Sequence, residues 1–431
     1  MHLDSKKFFL QTFGCQMNVY DGQRIESMLD GLGYSKTDSV SDADVIILNT
    51  CSVREKASNN VFSALGRIRD KKREGAIFGI VGCVAREEGA NAFRRVPELN
   101  FVLGPQQYHK LPEVLENPDA KHLFVDLSGL EKFDELPQMT SSELVSYIPI
   151  QEGCSHCCTY CIVPFTRGPE LSRPFADIML DVKLAAEQGA IEICFLGQNV
   201  NGYKSDRSLA DLIKETAKIN QVKRIRYTSS YPTEMTDELI SLHGTEPKLL
   251  PFLNLPLQSG SPEILRAMNR PYSVDEYLNI VEKLRHVRPD IQISSDFIVG
   301  FPDETDQAFA QTCEVAKKVK FLNSYSFKYS KRPHTAAALM QNQIPDSIKR
   351  ERLKILDEIL TENNRMFNLA CIGKTMECLF ESVDKIGNLI YRTPYMQQII
   401  VPGESERHNV VDITVTDGNK CSLRGEMEIK S

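Results

Sequence analysis

Cys154, Cys157, Cys158 and Cys161 crowd into one short segment, Gly153-Cys154-Ser155-His156-Cys157-Cys158-Thr159-Tyr160-Cys161. Cys154, Cys158 and Cys161 stand at C-x3-C-x2-C spacing, so three thiolates can hold three irons of a 4Fe-4S cluster while the fourth iron lacks a protein ligand. S-adenosylmethionine can chelate that open iron through its amino and carboxylate groups, and an electron from the cluster then cleaves a C–S bond into a carbon radical. Two blander readings stand beside this one: the thiols could hold zinc, or one could be a spare. Zinc sites usually draw on a second cysteine pair at a distance, and none follows this loop. Cys157 also lies at an x3 interval, from Cys161, but only Cys158 gives both intervals.

Cys15, Cys51 and Cys83 form a second set. Each ends an apolar, strand-like run (8–15, 45–51 and 77–83), and a polar turn and an amphipathic helix follow. Ile25, Met28, Leu29 and Leu32 make one helical stripe, and Ala57, Val61, Leu65 and Ile68 another. Ser52 followed by Glu55 reads as a capping box that starts a helix directly behind Cys51. Alternating strands and helices imply a parallel sheet, whose ligands sit beyond the carboxyl ends of the strands. Equivalent places on successive units let the three thiols converge on one metal cluster. Singly, each could instead be a small buried residue. Cys194, Cys313, Cys371, Cys378 and Cys421 have no ligand spacing and read as packing residues.

The elements that must position these sets belong to a chain of 431 residues, enough for two to four domains. A hydrophobic fraction of 42% and a charged fraction of 25% are ordinary globular usage and exclude long disorder, collagen and coiled coil. No apolar stretch approaches the ~20 residues of a spanning helix, and no secretion signal is apparent at the start, so the expected location is the cytoplasm, with free thiols. The net charge of -7 does not announce a nucleic-acid binder. Residues 105–142 read as a connection with a boundary near 140. Strand candidates at 147–151, 193–197, 224–230, 252–257, 291–300 and 322–329 then alternate with helices as in a partial or open barrel. A charge-laced helix spans 346–370, with Leu353, Leu356, Leu360 and Phe367 on one side. Five short strands follow, at 376–383, 389–393, 398–401, 410–416 and 421–429, as in a small β-barrel. The fold class is therefore α/β: an amino-terminal parallel-sheet α/β domain, a partial (β/α)6 barrel and a carboxyl-terminal small β-barrel.

Gln11-Thr12-Phe13-Gly14-Cys15-Gln16-Met17-Asn18, Asn49-Thr50-Cys51-Ser52-Val53-Arg54-Glu55-Lys56 and Gly82-Cys83-Val84-Ala85, ahead of Gly153-Cys154, resemble the methylthiotransferases of the radical S-adenosylmethionine superfamily. Further agreement lies in Leu196-Gly197-Gln198-Asn199-Val200-Asn201, Ser229-Ser230-Tyr231-Pro232, Leu255-Pro256-Leu257-Gln258-Ser259-Gly260-Ser261, Asp296-Phe297-Ile298-Val299-Gly300-Phe301-Pro302 and Ser422-Leu423-Arg424-Gly425-Glu426. The resemblance implies a methylthiotransferase domain at 6–122, a radical SAM core at 140–366 and an RNA-binding TRAM domain at 367–431. It implies that Cys154, Cys158 and Cys161 hold the radical cluster, and that Cys15, Cys51 and Cys83 hold an auxiliary 4Fe-4S cluster that presents sulfur. Tyr160 would lie against the adenine of S-adenosylmethionine, and Gln198, Asn199, Ser229, Gln258 and Asp296 would line the cofactor site. Arg392 and Arg424 would contact RNA. Cys157, Asp303, Lys331 and His334 depart from the family pattern, the last three where Gly, Pro and Gly are usual.

The reaction so implied transfers a methylthio group to carbon 2 of N6-isopentenyladenosine at position 37 of tRNA, an unactivated aromatic C–H that calls for radical chemistry. One S-adenosylmethionine methylates sulfur and a second supplies the 5'-deoxyadenosyl radical. Partners would be the tRNA anticodon loop, a flavodoxin- or ferredoxin-like electron donor and a sulfur donor, with the protein a monomer and no membrane involved. Threonylcarbamoyladenosine in tRNA or an aspartate of a ribosomal protein is the second reading. A noncatalytic iron–sulfur protein that binds RNA or senses redox state is the third. Residues 367–431 carry 7 Lys+Arg against 9 Asp+Glu, which does not favour RNA, so a docking or stability module is the alternative for that domain. The basic runs at 67–73 and 349–354 are candidates for phosphate contact or solvated helix faces.

Overall fold

The computed structural model describes residues 6–52, 55–127, 143–403 and 405–428, with Gly129 and Phe133 besides. The expected Ser52–Glu55 capping box, the stripe position Ala57, the boundary near residue 140 and the strand end at Ile429 lie outside the described residues or side chains.

Residues 45–50 are fully buried, the mark of a central parallel strand covered on both faces. The strands β1 (Lys7–Thr12), β2 (Ser35–Lys36), β3 (Val45–Thr50), β4 (Ile77–Gly82), β5 (Phe101–Leu103) and β6 (His122–Phe124) form one sheet in the order β2-β1-β3-β4-β5-β6. Every pairing in it is parallel. Helix α1 (Gln16–Gly31) packs Ile25, Met28 and Leu29 on Val45 and Ile47, whereas α2 (Glu55–Arg69) packs Val61, Leu65 and Ile68 on Ile46 and Leu48. The period of two in the strand thus assigns one helix to each face. Leu32, expected on the α1 stripe, lies past the helix end and is 47% exposed. Short helices α3 (Cys83–Glu88), α4 (Asn91–Arg95) and α5 (Leu111–Glu116) complete the domain. α5 and β6 fall where an irregular connection was expected, and the expected domain end at 122 falls within β6.

The second domain is an arc of parallel strands with helices outside. Its elements are β7 (Val145–Pro149), β8 (Gln151–Glu152), α6 (Val163–Arg167), β9 (Leu171–Ser172), α7 (Phe175–Glu187), β10 (Glu192–Leu196), α8 (Leu209–Ala217), β11 (Arg224–Tyr227) and α9 (Asp237–Thr245). β12 (Phe252–Asn254), α10 (Pro262–Ala267), α11 (Val274–Val287), β13 (Gln292–Ser294), β14 (Asp296–Val299), α12 (Asp306–Val319), β15 (Tyr325–Lys328) and α13 (Asp346–Ala370) follow. β7, β10 and β11 are neighbours, as are β12 with β13 and β14 with β15. The single strand expected over 291–300 divides at Ser295, because the chain there leaves β12 and takes β15 as its partner. Ile193 and Phe195 of β10 join the outer core with the helices, while Cys194 and Leu196 pack on Met17 and Tyr20 of α1. The amino-terminal domain therefore leans on the inner face of the arc.

β16 (Thr375–Val383), β17 (Leu389–Arg392), β18 (Gln398–Val401), β19 (Val410–Gly418) and β20 (Leu423–Met427) close a five-stranded barrel. It docks on the second domain where Arg224 donates to the Arg392 and Thr393 carbonyls at 2.9 and 3.0 Å. Tyr395 donates to Asp290 at 3.0 Å. No helix among the described residues is long and apolar enough to cross a membrane.

Candidate active site

Each member of the first cysteine trio follows a strand of one sheet. Cys15 is the amino-terminal cap of α1, Cys51 follows β3, and Cys83 opens α3. Asn49 and Thr50, at the end of β3, lock the three loops together. Asn49 Nδ2 donates to the Asn18 carbonyl at 2.8 Å, Asn18 Nδ2 donates to the Phe13 carbonyl at 2.9 Å, and Thr50 Oγ1 accepts from the Val84 amide at 3.2 Å. Gly14 has φ +109°, and a Cβ there would lie 2.2 Å from Cβ of Cys51, so only glycine permits this approach.

The thiols of this trio sense one another. A hydrogen bond with Cys51 brings the Cys15 thiol down to about 6; burial opposes it and the Arg167 charge supports it. Burial pushes the Cys83 thiol up, with Arg167 pulling the other way. Thiolate is the metal-binding form, so a site that already favours one is suited to a cation.

The second trio lies on the loop after β8. Gln151 and Gln198 build its base: Gln198 Oε1 accepts from the Gly153 amide at 2.6 Å, and Gln151 Oε1 accepts from the Gln198 and Asn199 amides at 3.0 and 3.1 Å. Gln198, expected to line the cofactor site, is thus the anchor of the cysteine loop. Burial pushes Cys154 up to about 11 and Cys161 up to about 12, and the neighbouring Cys158 adds to both. Such thiols stay protonated until a cation displaces the proton. Among the described residues no three His, Cys, Asp or Glu side chains close on a point that would hold a single ion. Three thiols at C-x3-C-x2-C spacing are a donor set that fits a 4Fe-4S cluster with one iron left open.

Beside the loop lies a polar recess; the sequence motifs include its Asn199, His156 and Tyr231 but not its two carboxylates, Glu170 and Glu234. Asn199 Nδ2 reaches Glu170 Oε2 at 3.0 Å and His156 Nε2 at 3.2 Å. His156 also pairs with Glu234 at 3.2 Å and stacks on Tyr231 at 3.7 Å between centroids. Among the described residues, no hydrogen-bond partner meets the buried Glu234 Oε2 and Asn199 Oδ1. Such orphaned acceptors fit the ammonium end of an amino acid cofactor. Tyr160 is held by Arg270, whose Nη1 donates to the Tyr160 hydroxyl at 3.1 Å and lies 3.9 Å from Cys158 Sγ. Arg270 is 5% exposed and sits over the rings of Tyr231 and Tyr272. Nothing in its sequence context distinguishes it. Ser229, Gln258 and Asp296 are half-buried, and Ser229 and Gln258 adopt positive φ of 68° and 71°. The Gln258 amide donates to the Asp296 carbonyl at 2.9 Å, and the Ser229 amide to Asn254 Oδ1 at 3.1 Å.

The two trios meet across α6. The Cys154 amide donates to the Gly168 carbonyl at 3.2 Å, while the neighbouring Arg167 faces Cys83. Arg392 lies far from the thiols, engaged by Glu381 at 2.6 Å and by the Met396 carbonyl at 3.1 Å. The Arg424 side chain is exposed. Of the basic run at 349–354, Lys349 and Arg352 are turned inward: Lys349 donates to the Tyr329 carbonyl at 3.0 Å and Arg352 pairs with Glu304 at 2.8 Å. They are structural, which leaves Arg350 and Lys354 as that run's exposed cations.

A parallel-stranded arc with three thiols on a loop at the carboxyl end of its first strands defines a radical S-adenosylmethionine enzyme. Family models agree: the radical SAM superfamily matches residues 148–316, the uncharacterized protein family UPF0004 matches 7–104, and the TRAM domain matches 369–427. The tRNA-2-methylthio-N(6)-dimethylallyladenosine synthase of Rickettsia bellii is 46% identical over 98% of this chain and 99% of its own length. That of Rickettsia felis is 46% identical over 98% of this chain and 100% of its own. Among solved structures, the radical S-adenosylmethionine methyltransferase TsrM of Kitasatospora setae matches with a TM-score of 0.57 at 13% identity, over 78% of this chain and 77% of that one. The radical enzyme OxsB matches at 0.52 with 11% identity, over 83% of this chain and 57% of that one. The chain belongs to the family of the tRNA-2-methylthio-N(6)-dimethylallyladenosine synthases. It is a methylthiotransferase whose cofactors are 4Fe-4S clusters and S-adenosylmethionine.

Proposed function

We propose that the protein transfers a methylthio group to carbon 2 of N6-isopentenyladenosine at position 37 of tRNA, with two clusters and two S-adenosylmethionine molecules consumed per product. The observation that carries this reading is the meeting of the two thiol trios at one short segment, Thr166 to Gly168. The relatives' names supply the nucleoside. When bound, the clusters and the cofactor supply the sulfur, the methyl group and the hydrogen-abstracting radical.

The chain's own residues bind, orient and exclude water. Cys154, Cys158 and Cys161 hold one cluster and Cys15, Cys51 and Cys83 the other. Glu234, Glu170 and Asn199 receive the cofactor's ammonium end. Tyr160, fixed by Arg270, flanks its adenine, and Ser229, Gln258 and Asp296 line the cavity wall. The cluster cysteines fall in two different domains, so the working divisions are 6–122 for sulfur presentation, 140–366 for radical formation and 367–431 for RNA. In the last, Arg424 offers an exposed cation for RNA, and Arg392 would contact RNA from β17 beside its bonds to Glu381 and the Met396 carbonyl. The anticodon loop of tRNA, a flavodoxin- or ferredoxin-like reductant and a sulfur donor complete the set of partners, with the enzyme a cytoplasmic monomer.

The test uses reconstituted protein, dithionite, S-adenosylmethionine and isopentenyladenosine-containing tRNA. Deoxyadenosine and a methylthio-isopentenyladenosine peak in nucleoside mass spectra are expected. C51A should lose the methylthio product and keep some deoxyadenosine formation. Equal loss of both would contradict the division between the trios.

A further inference from the structure

Arg167 of the radical domain, 3% exposed, stands against the first cysteine trio, its charge favouring thiolate at Cys15 and Cys83. A buried guanidinium cannot shed its proton, so its charge must be met by neighbours. Two carboxylates meet it: Asp21 of α1 at 3.0 Å and Glu152 of β8 at 2.7 Å, each 1% exposed. Asn18 Oδ1 lies at 3.4 Å, and the same oxygen is 3.7 Å from Cys15 Sγ. Tyr108 donates to Asp21 at 3.2 Å, and Gln106 Nε2 donates to the Arg167 carbonyl at 2.9 Å. Formally, two acids and one base stand beside three thiols.

Most fold-stabilising charges are cheaper to replace by apolar residues than to bury. A buried triad placed against a metal-ligand set does something an apolar plug could not: it fixes the local potential in a low-dielectric pocket, where each unit charge acts strongly on a cluster that gains or loses electrons. Arg167 also follows the cysteine loop directly, and the Gly168 carbonyl holds the Cys154 amide. The charge that faces one site is thus carried by the backbone that shapes the other.

We propose that Arg167, balanced by Asp21 and Glu152, is a positioning residue that sets the reduction potential of the cluster on Cys15, Cys51 and Cys83. The proposal rests on the reading that this trio holds a cluster. The sign of each effect is fixed by charge. Removing the cation disfavours the added electron and lowers the potential; removing a carboxylate raises it. A merely structural role would not reverse sign between the two.

The test is a redox titration followed by electron paramagnetic resonance, in full-length protein whose Cys154, Cys158 and Cys161 are all replaced by Ala, so that only the first trio can load iron. In that background D21N should shift the midpoint upward, R167M downward, and R167K should restore it to near the parent value. Asparagine retains an acceptor for Tyr108, so D21N is the variant that best preserves the fold. Should R167M fail to fold, D21N and R167K decide alone: an upward shift in the first and little shift in the second support the proposal. A D21N midpoint equal to the parent's, or shifts of one sign in D21N and R167M, overturn it. A parent background that binds no iron at all overturns the cluster reading itself, which is a distinguishable result.

Discussion

Single residues in this protein are constrained where backbone and sulfur crowd together. Gly14 cannot carry a side chain without striking Cys51, so Gly14→Ala should lose the iron of the first trio while that of the second remains. Iron and sulfide analysis of the anaerobically loaded variant measures this; full iron retention would refute it. The placement of the two cysteine trios, one at the ends of parallel strands and one on a single loop, was legible in the sequence, because spacing and strand ends are one-dimensional features. Arg270, Arg167 and Glu234 were not, because their roles come from burial beside sulfur or an amide, which no spacing encodes. The departures from the family pattern have a local reason. Asp303 and His334 keep positive φ, 66° and 64°, at places where the pattern has glycine. Asp303 is held by Asn342, and His334 stacks on Phe165 at 3.9 Å, contacts that offset the left-handed backbone.

Between elements, buried polar links set the conditions of stability. His243 Nε2 of α9 and the Tyr227 hydroxyl of β11 share a hydrogen bond at 2.8 Å. Burial, with Arg288 adding to it, holds its imidazole down at about 3. The folded state therefore keeps His243 neutral, and the unfolded state takes up a proton below about 6.5. The stability this group contributes is whole above that pH and is lost as pH falls toward 3, about 2 kcal/mol by pH 5. H243Q, which keeps a hydrogen-bonding group for Tyr227, should flatten the melting-temperature profile between pH 7 and 5; an unchanged slope would contradict this. Element identity was readable from periodicity for the three strand–helix units and for the long α13. The break of one expected strand at Ser295 was not, because it reflects a change of pairing partner rather than any local residue preference. α5 and β6 were missed because Pro112 and Pro118 read as loop, although Pro112 sits in the first turn of α5, where it is tolerated.

At the scale of the whole molecule, the domains are joined by buried charge as well as apolar contact. Arg224 is 2% exposed, pairs with Glu192 at 2.8 Å and donates to two carbonyls of the small barrel. R224M should destabilise by about 3 kcal/mol through the partners left unsatisfied. Calorimetry should then show the small barrel melting ahead of the rest; a single unshifted transition would refute the coupling. The three-domain order was legible from the shift between alternating and all-β patterns. The way the amino-terminal domain seats Met17 and Tyr20 on Cys194 and Leu196 was not, because both surfaces are apolar in any arrangement.

The small barrel grips Arg224, Asn323 and Asp290, all at the amino ends of the arc's strands, whereas the thiols crown the opposite rim. One nucleic acid touching both must therefore run the height of the arc, which makes the molecule a ruler as well as a catalyst. A hairpin trimmed to the reacting nucleoside and its nearest pairs would keep its turnover at saturation yet need a higher concentration to reach it, and steady-state kinetics on hairpins of graded length would trace that reach.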